Sequence, residues 1–303
     1  MHAPTYHPGE AAVQQRAGDT PNKPHGSVAT RPEIPVVAQR FLRDQPLIVL
    51  GAPDQRGWLW ATALAGAPGF VDPLDERTIA IRAPLPTGDP LASAFTGSTE
   101  IGMLAIEPAT RRRMRINGRA GATGDGLLLH TDQVYANCPK YLTTRDHPRP
   151  VTRRPGPPLI STELSPAQQR MLAAADTFFA ATFAGGHGAD VSHRGGNPGF
   201  VQVTGPTTLS WPDYSGNKMY MTLGNLELDA RCGLLFVDWR DGHLLHLTGT
   251  ASADWSPART ATVPGALRMI DFEVRQVVEQ PSALPLTWDL ITYSRFNPRS
   301  PGD

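Results

Sequence analysis

The feature that most limits how this chain can fold is an internal match. Residues 101–120, IGMLAIEPATRRRMRINGRA, lie without a gap over residues 232–251, CGLLFVDWRDGHLLHLTGTA, at an offset of 131. Gly102, Leu104, Gly118 and Ala120 are identical to Gly233, Leu235, Gly249 and Ala251, and apolar residues coincide at 106/237, 114/245 and 116/247. Upstream, Pro68-Gly69-Phe70 recurs as Pro198-Gly199-Phe200 at an offset of 130. Two matches at almost one offset imply that a single unit of roughly 110 residues occurs twice. The 303 residues have room for two such units.

Periodicity and turn residues give both units the same order of elements. Each has a hairpin near its start: LIVLGA and WLWATAL around PDQRG, then FAATFA and ADVSHRG around GGHG. A short strand follows (TIAIRA; TLSW), then a short helix (DPLASAF; NKMYMTLGNL), then a long hairpin that turns at EPAT or WRDG. Ser165-Pro166 predicts a helix start, with serine as cap and proline at the first helical position. The run MIDFEVRQV alternates Ile270, Phe272 and Val274 with Asp271, Glu273 and Arg275, as expected for a sheet with one wet face. Three strands, a helix and three strands with short turns predict a mainly β fold with few helices, as two tandem six-stranded antiparallel barrels. No βαβ rhythm is present, which argues against a Rossmann fold.

Proline marks the boundaries. Residues 1–34, with Pro4, Pro8, Pro21, Pro24 and Pro32, read as an extended arm. The first unit is then 35–146, a linker containing HPRPVTRRPGPP covers 147–160, the second unit is 161–280, and 281–303 form a tail.

Composition removes several classes of function. Lys plus Arg and Asp plus Glu are both 28, so zero net charge argues against nucleic acid or an anionic membrane as partner. The run Arg111-Arg112-Arg113 with Arg115 has no interleaved aromatics and reads as a solvated hairpin tip. Cys138 and Cys232 alone cannot build a disulfide framework or a four-thiolate zinc site. By residue type Cys138 is expected to be a small buried side chain. No apolar run reaches the length of a membrane span and the start lacks a signal-peptide core, so the expected location is cytoplasmic.

The two units differ where a site belongs. Asp190-Val191-Ser192-His193-Arg194-Gly195-Gly196 replaces the apolar Trp58–Leu64, and Trp211–Lys218 replaces Ala80–Thr87. Arg194, Ser192, Ser215, Asn217 and Lys218 supply the charged and neutral donors that a phosphomonoester requires. A flexible glycine and a helix start would add backbone N–H groups. Lysine is rare here, at Lys23, Lys140 and Lys218 only. His193 should face the side of its strand opposite Arg194, and both a structural role and a cofactor contact stay open for it. His243 and His246, three apart on a strand, should face opposite ways, which argues against a paired-histidine haem site.

With these segments in view, the chain resembles the pyridoxamine 5′-phosphate oxidase-related FMN-binding split-barrel proteins, in their double-unit form. The resemblance rests on Tyr6–Glu10, on Asp132–Tyr141 (DQVYANCPKY), on Asp190–Gly199 and on Trp211–Asn225. It implies two split barrels packed as a pseudo-dimer and FMN as cofactor. The phosphate would lie at Arg194, Ser215, Asn217 and Lys218. The ring would lie near Val191, Ser192, Trp211 and Pro212, with His193 and Asn225 close by and Asn137, Lys140 and Tyr141 as the opposite wall. The oxidase's Arg-x-Val-Leu-Leu-Lys stretch and its C-terminal Arg and His motif are absent, so the expectation is flavin chemistry on another substrate. The function implied is an FMN-dependent oxidoreductase acting on a small molecule, with NAD(P)H as possible electron donor and a possible homodimer. Trp211, Tyr214, Tyr135 and His193 are the candidates for substrate contact. The alternative is a non-catalytic split barrel that holds a flavin, deazaflavin or haem.

Overall fold

The computed structural model describes residues 6–22 and 31–298. Helices α1 (Pro8–Arg16) and α2 (Val36–Arg43) precede β1 (Leu47–Pro53), β2 (Leu59–Ala65), β3 (Val71–Pro73), β4 (Thr78–Ile81), β5 (Thr99–Glu107), β6 (Arg112–Ala122) and β7 (Leu127–Ala136). The short β8 (Thr144–Arg145), β9 (Arg149–Pro150) and β10 (Leu159–Ser161) lead into α3 (Pro166–Ala174). Then come β11 (Thr177–Ala184), β12 (Gly188–Gly195), β13 (Gln202–Val203), β14 (Thr208–Asp213), α4 (Met221–Leu228), β15 (Arg231–Val237) and β16 (Leu244–Asp254). The chain closes with α5 (Pro257–Thr260), β17 (Arg268–Gln280), β18 (Leu286–Thr287) and β19 (Leu290–Thr292).

The fold is mainly β, and its ladders are antiparallel. One sheet runs β2-β1-β5-β6-β7-β4-β3 and the other β12-β11-β15-β16-β17-β14-β13, with β10 added against β17. The strand order of the first half is thus repeated in the second, with seven and eight strands. Each sheet has its own core: Ile48, Leu50, Ile79, Met103 and Ile116 in the first, Phe178, Trp211, Leu234, Phe236 and Phe272 in the second. A third cluster lies between them, made of Leu47, Val49, Ala61 and Leu104 with Phe179, Ala181, Val191 and Leu235. The strands β1 and β11 therefore bury both faces, which is why LIVL and TFFAATF lack polar alternation. In β17 the alternation survives: Ile270, Phe272 and Val274 face the core while Glu273 and Arg275 are exposed.

The repeated glycines have two separate physical causes. A Cβ on Gly102 would stand 2.6 Å from the Val191 backbone N, and one on Gly233 would stand 2.6 Å from the Leu59 carbonyl O. These are the points where β5 and β15 each meet the other half's hairpin backbone. Gly118 and Gly249 instead mark ladder irregularities, where the register shifts at Asn117/Gly118 and at Thr248/Gly249. There a Cβ would strike the carbonyl O of His130 or of Glu273.

Several sequence expectations change. The arm is not simply extended, because residues 8–16 form α1. His7 caps it: the ring Nδ1 accepts from Gly9 N–H at 3.2 Å, and Glu10 accepts from His7 N–H at 2.9 Å. The helix docks on α4 so closely that a Cβ on Gly224 would lie 2.6 Å from Glu10 N. The DPLASAF segment forms successive turns rather than a helix, whereas NKMYMTLGNL does yield α4. The Ser165 cap is present as a capping box with Gln168. The tail is tied to the linker by β18 pairing with β9, and to the end of the first unit by β19 pairing with β8.

Docking α1 perturbs its own titrating groups. Burial pushes Glu10 up to about 7, and burial with the nearby His187 holds His7 down to about 4. For Glu10 the stabilising contribution is complete below its unfolded value near ~4.5 and is lost as pH rises through about 7. For His7 it is complete above ~6.5 and is lost as pH falls through about 4. Glu10→Gln keeps the acceptor and removes the charge. It should stabilise the protein at pH 8 by on the order of 2 kcal/mol and do nothing at pH 4.5. Thermal melts at the two pH values check this; an equal effect at both would show that ionisation of Glu10 is not the cause.

Candidate functional site

A cleft of about 770 Å³, counting the open space at its mouth, lies where the halves meet. The second half supplies the end of β12 (Ser192–Gly195), Pro212 of β14, and the loop residues Tyr214, Gly216 and Asn217. The first half supplies Leu104, Arg113 and Arg115 from β5 and β6, with Asn137, Cys138, Lys140 and Tyr141 from the turn after β7. β12 is the edge strand of its sheet. A cleft along an edge receives side chains from both faces, so His193 and Arg194 both border it despite pointing in opposite directions.

Among the described residues four cations line this cleft, Arg113, Arg115, Lys140 and Arg194, and no carboxylate does. The balancing acids stand behind the lining. Asp213 accepts from Arg194 Nη1 at 2.8 Å and faces Arg268 Nε at 3.3 Å, while Asp190 pairs with Arg115. Arg113 donates to the Cys138 carbonyl at 2.6 Å and bonds His193 Nδ1 at 2.8 Å. Because a guanidinium only donates, Nδ1 must be the acceptor, which fixes His193 as the Nε2–H tautomer. Burial, followed by Arg113, Arg194 and Arg145, holds His193 well below the usual imidazole value. Burial and the like charges of Arg115 and Arg194 bring Arg113 down to about 10, so it remains a cation at neutral pH. The Nε atoms of Arg113 and Arg194 and Nε2 of His193 are buried without a protein partner. It is the lining of four cations without an acid that has the chemistry of an anion site.

A second recess shares Arg115, Arg194, Tyr214, Gly216 and Asn217 with the cleft and adds Asp213, Ser215, Lys218, Arg268 and the first residues of α4, so here Asp213 is part of the lining. Its backbone is unusual, since Lys218 and Tyr220 have φ of 61° and 58°. Tyr220 is the N-cap of α4 and gives no side-chain cap, which leaves the helix amides to other partners. Tyr141, also at positive φ (62°), reaches across from the first half and donates to the Ser215 carbonyl at 3.0 Å.

Of the expected site residues, Ser192, His193, Arg194, Pro212, Asn217, Asn137, Lys140 and Tyr141 meet in the cleft, and Ser215 and Lys218 in the adjoining recess. Three do not join them. Val191 is buried between the sheets, and Trp211 is packed in the core against Phe178 and Phe272, with no surface for a ring to stack on. Asn225 is consumed by structure: its Oδ1 accepts from His7 Nε2 at 3.0 Å and its Nδ2 donates to Thr182 Oγ1 at 3.0 Å. Lys218 is turned toward α1, where Asp19 takes its Nζ at 2.6 Å and the Tyr220 hydroxyl at 2.8 Å. Tyr135 is also enclosed, and burial pushes it up to about 12.

Arg113 and Arg115 are the residues that the solvated-tip reading missed. The tip itself is Pro108–Arg111, and β6 begins at Arg112. From there side chains alternate, so Arg112 is exposed while Arg113 and Arg115 turn inward. The i, i+2 spacing was the available signal. Cys138 also departs from expectation, being exposed at the cleft, while Cys232 is buried and pushed up to about 12.

The pseudo-symmetric counterpart of this cleft, between β2 of the first half and β16 of the second, lacks these cations. At an offset of 131, Arg113 and Arg115 correspond to Leu244 and His246. His246 is fully buried and both nitrogens are used, Nδ1 with the Ala61 carbonyl at 2.9 Å and Nε2 with Gln280 Oε1 at 2.8 Å. Nearby, Thr62 donates to the buried Asp89.

Among the described residues no group of three or more His, Cys, Asp or Glu is placed to hold a metal, and no helix is long and apolar enough to cross a membrane. No protein-family model matches this chain, and no curated protein matches it. Solved structures do. A histidine-to-alanine variant of HupZ from Group A Streptococcus is 11% identical, covers 38% of this chain and 98% of its own, and has a TM-score of 0.32. A structure titled a putative pyridoxamine 5′-phosphate oxidase, from Lactobacillus delbrueckii, is 13% identical over 39% of this chain and 94% of its own, at 0.33. One titled an FAD-binding protein, from Mesorhizobium loti, is 16% identical over 40% of this chain and 97% of its own, at 0.26.

Proposed function

We propose that the chain is a pair of split barrels packed as a pseudo-dimer that binds one FMN at the cleft between its halves. On this reading it is an oxidoreductase that uses the flavin on a small molecule other than pyridoxamine phosphate. The observation that carries the proposal is the cleft lining, with four cations, no carboxylate and residues from both halves. The donor set fits a flavin nucleotide. Arg194, Ser215, Asn217 and Lys218, beside the uncapped start of α4, match the needs of a dianionic phosphate, and Asp213, which also lines that recess, is neutralised by Arg194 and Arg268. Pro212, Tyr214 and Tyr141 offer an apolar wall to a flat ring, and the charges of Arg113 and Arg115 suit its oxygen-rich edge.

When bound, FMN supplies hydride or electron transfer, and the protein supplies position and electrostatics. Arg113 fixes the His193 ring through Nδ1 and holds the Cys138 turn through its carbonyl, so one guanidinium orients two walls. The cations favour electron-rich forms of a bound group. Tyr141 bridges the halves at the mouth and limits water access. NAD(P)H is the proposed electron donor and the cytoplasm the proposed location.

The test is a visible spectrum of the purified full chain, then acid release, chromatography and titration with FMN. Oxidised-flavin bands, or uptake of added FMN at one equivalent per chain, are the expected result. Two equivalents would mean that the first half also holds a site. A Soret band, or a colourless protein that takes up no FMN, would overturn the proposal. Oxidation of NADH or NADPH by the loaded protein separates the oxidoreductase from a carrier.

A further inference from the structure

The loop that leads into α4 is held from outside the recess it lines. Its residues Lys218 and Tyr220 both have left-handed backbones, and both are tied to the arm at the turn that follows α1. Asp19 accepts from Lys218 Nζ at 2.6 Å through one carboxylate oxygen and from the Tyr220 hydroxyl at 2.8 Å through the other. On α1 itself, the buried Gln14 side chain reaches the Lys218 carbonyl with its Nε2 at 3.5 Å. Gln14 also closes the turn around Asp19. Its carbonyl accepts from Asp19 N–H at 2.9 Å and its Oε1 accepts from Asn22 N–H at 2.9 Å.

The two sides of the ion pair are unequal. The Asp19 side chain is 13% exposed and that of Lys218 is 53% exposed. An enclosed carboxylate is held in place, while an ammonium on an exposed four-carbon stem can swing to another anion. Lys218 and Tyr220 also line the recess that contains Arg194, Ser215 and Asn217. The lysine therefore stands between two anion positions, the arm's carboxylate, which it takes in this structure, and the recess. Docking of α1 does not depend on it. Val13 belongs to the core of the second half, Arg16 lies over Trp255 at 4.6 Å, and a Cβ on Gly9 would stand 2.1 Å from the Gly224 carbonyl O. The turn can release Lys218 while the helix stays in place.

We propose that Asp19 is a latch on the phosphate recess, an internal carboxylate that occupies Lys218 until a phosphate takes it. The latch rests on the reading of this recess as the FMN phosphate site. A phosphate bound there draws the ammonium inward and breaks the Lys218–Asp19 pair, so the turn after α1 loses an anchor. The coupling is reciprocal: weakening the Asp19 contact tightens phosphate binding, and phosphate binding loosens the turn by the same free energy. The arm thereby sets how readily the cofactor is taken up and released.

The test measures FMN and riboflavin affinity of the full chain, with amide exchange over residues 18–22. Asp19→Asn keeps an acceptor for the Tyr220 hydroxyl and removes the charge that holds Lys218. It should tighten FMN by about fivefold, the upper range for a partly exposed ion pair, and leave riboflavin, which has no phosphate, unchanged. On a Lys218→Met background the same substitution should give no gain. In the unsubstituted chain FMN should speed exchange at Asp19 and Asn22, and riboflavin should not. Inorganic phosphate should act like FMN when compared with chloride at equal ionic strength, which tests the latch even in a protein that takes up no flavin. FMN uptake with unchanged or weaker affinity in Asp19→Asn would overturn the latch and leave the cofactor reading standing. An equal gain for riboflavin, or a gain that persists without Lys218, would also overturn it, because Asp19 would then act through loop shape or as a general charge. No FMN uptake, with phosphate still loosening the turn, would overturn the cofactor reading and support the latch.

Discussion

Replacing Arg194 and Lys218 together by alanine is expected to weaken FMN binding by about a hundredfold, or about 2.7 kcal/mol. A hydrogen bond to a charged group contributes about 1.5–3 kcal/mol, so two of them set an upper range that the free protein reduces. Arg194 is already bonded to Asp213, and Lys218 to Asp19, and those pairs must be given up or shared when an anion arrives. Removing Arg194 has a second effect. Asp213, which lines the recess, then keeps only Arg268, and its less balanced charge repels a phosphate further. Adding Asp213→Asn to the double variant should therefore recover part of the affinity. Thr87→Ala, at the corresponding exposed segment of the first half, should change nothing. Unchanged FMN affinity in the double variant, with melting behaviour preserved, would remove the phosphate from these residues.

The second large effect concerns the junction of the halves. Gly102→Ala should destabilise the protein by about 3 kcal/mol, at the upper end of overpacking costs, because the added methyl meets main chain. Its Cβ would lie 2.6 Å from Val191 N and 2.7 Å from the Asp190 Cα and carbonyl C, atoms that no rotamer change can move. Relief requires β5 and β12 to separate, and that opens the packing of Leu104 against Val191. Gly233→Ala should act alike through Leu59 and Trp60. At ~2–4 °C per kcal/mol for a chain of this size class, the melting temperature should fall by about 6–12 °C. Gly97→Ala, with nothing within 4 Å of the added methyl, is the control. A Gly102→Ala variant as stable as the control would mean that the sheets do not meet at this backbone contact. The same variant also shifts β12, whose far end carries Ser192, His193 and Arg194, so its FMN affinity should fall with its stability.

Much of the mainly β architecture was legible because its signals are local. The Ser165 cap, the EPAT and WRDG turns and the alternation in β17 each depend on residues a few positions apart. Segments governed by distant partners were less legible. The arm helix α1 has almost no apolar periodicity, and it is held by a His7 cap and by contact with α4 more than two hundred residues away. The DPLASAF run has reasonable helix formers but is shaped by Asp89, whose carboxylate takes both the Leu91 N–H and the Thr62 hydroxyl.

The candidate site divides in the same way. Contrasting the two halves located the second-half wall, since polar residues replaced apolar ones at matched positions. That contrast was silent about the first-half wall. Arg113 and Arg115 looked like surface charge, and only the position of β6 against the end of β12 makes them lining residues. Trp211 and Asn225 failed for the converse reason: a stacking type and an amide type say nothing about which side of a strand or helix is enclosed.

By itself, the amino-acid sequence determined the mainly β character, the position of its turns and caps, and the stretches that carry polar groups, because turn chemistry and side-chain alternation are properties of neighbouring residues. Tertiary structure decided which glycines sit where the halves meet, which arginines turn inward, and which polar side chains are enclosed rather than offered to the cleft. Those outcomes depend on distances between strands far apart in the chain, where a few tenths of an ångström separate a close contact from a clash.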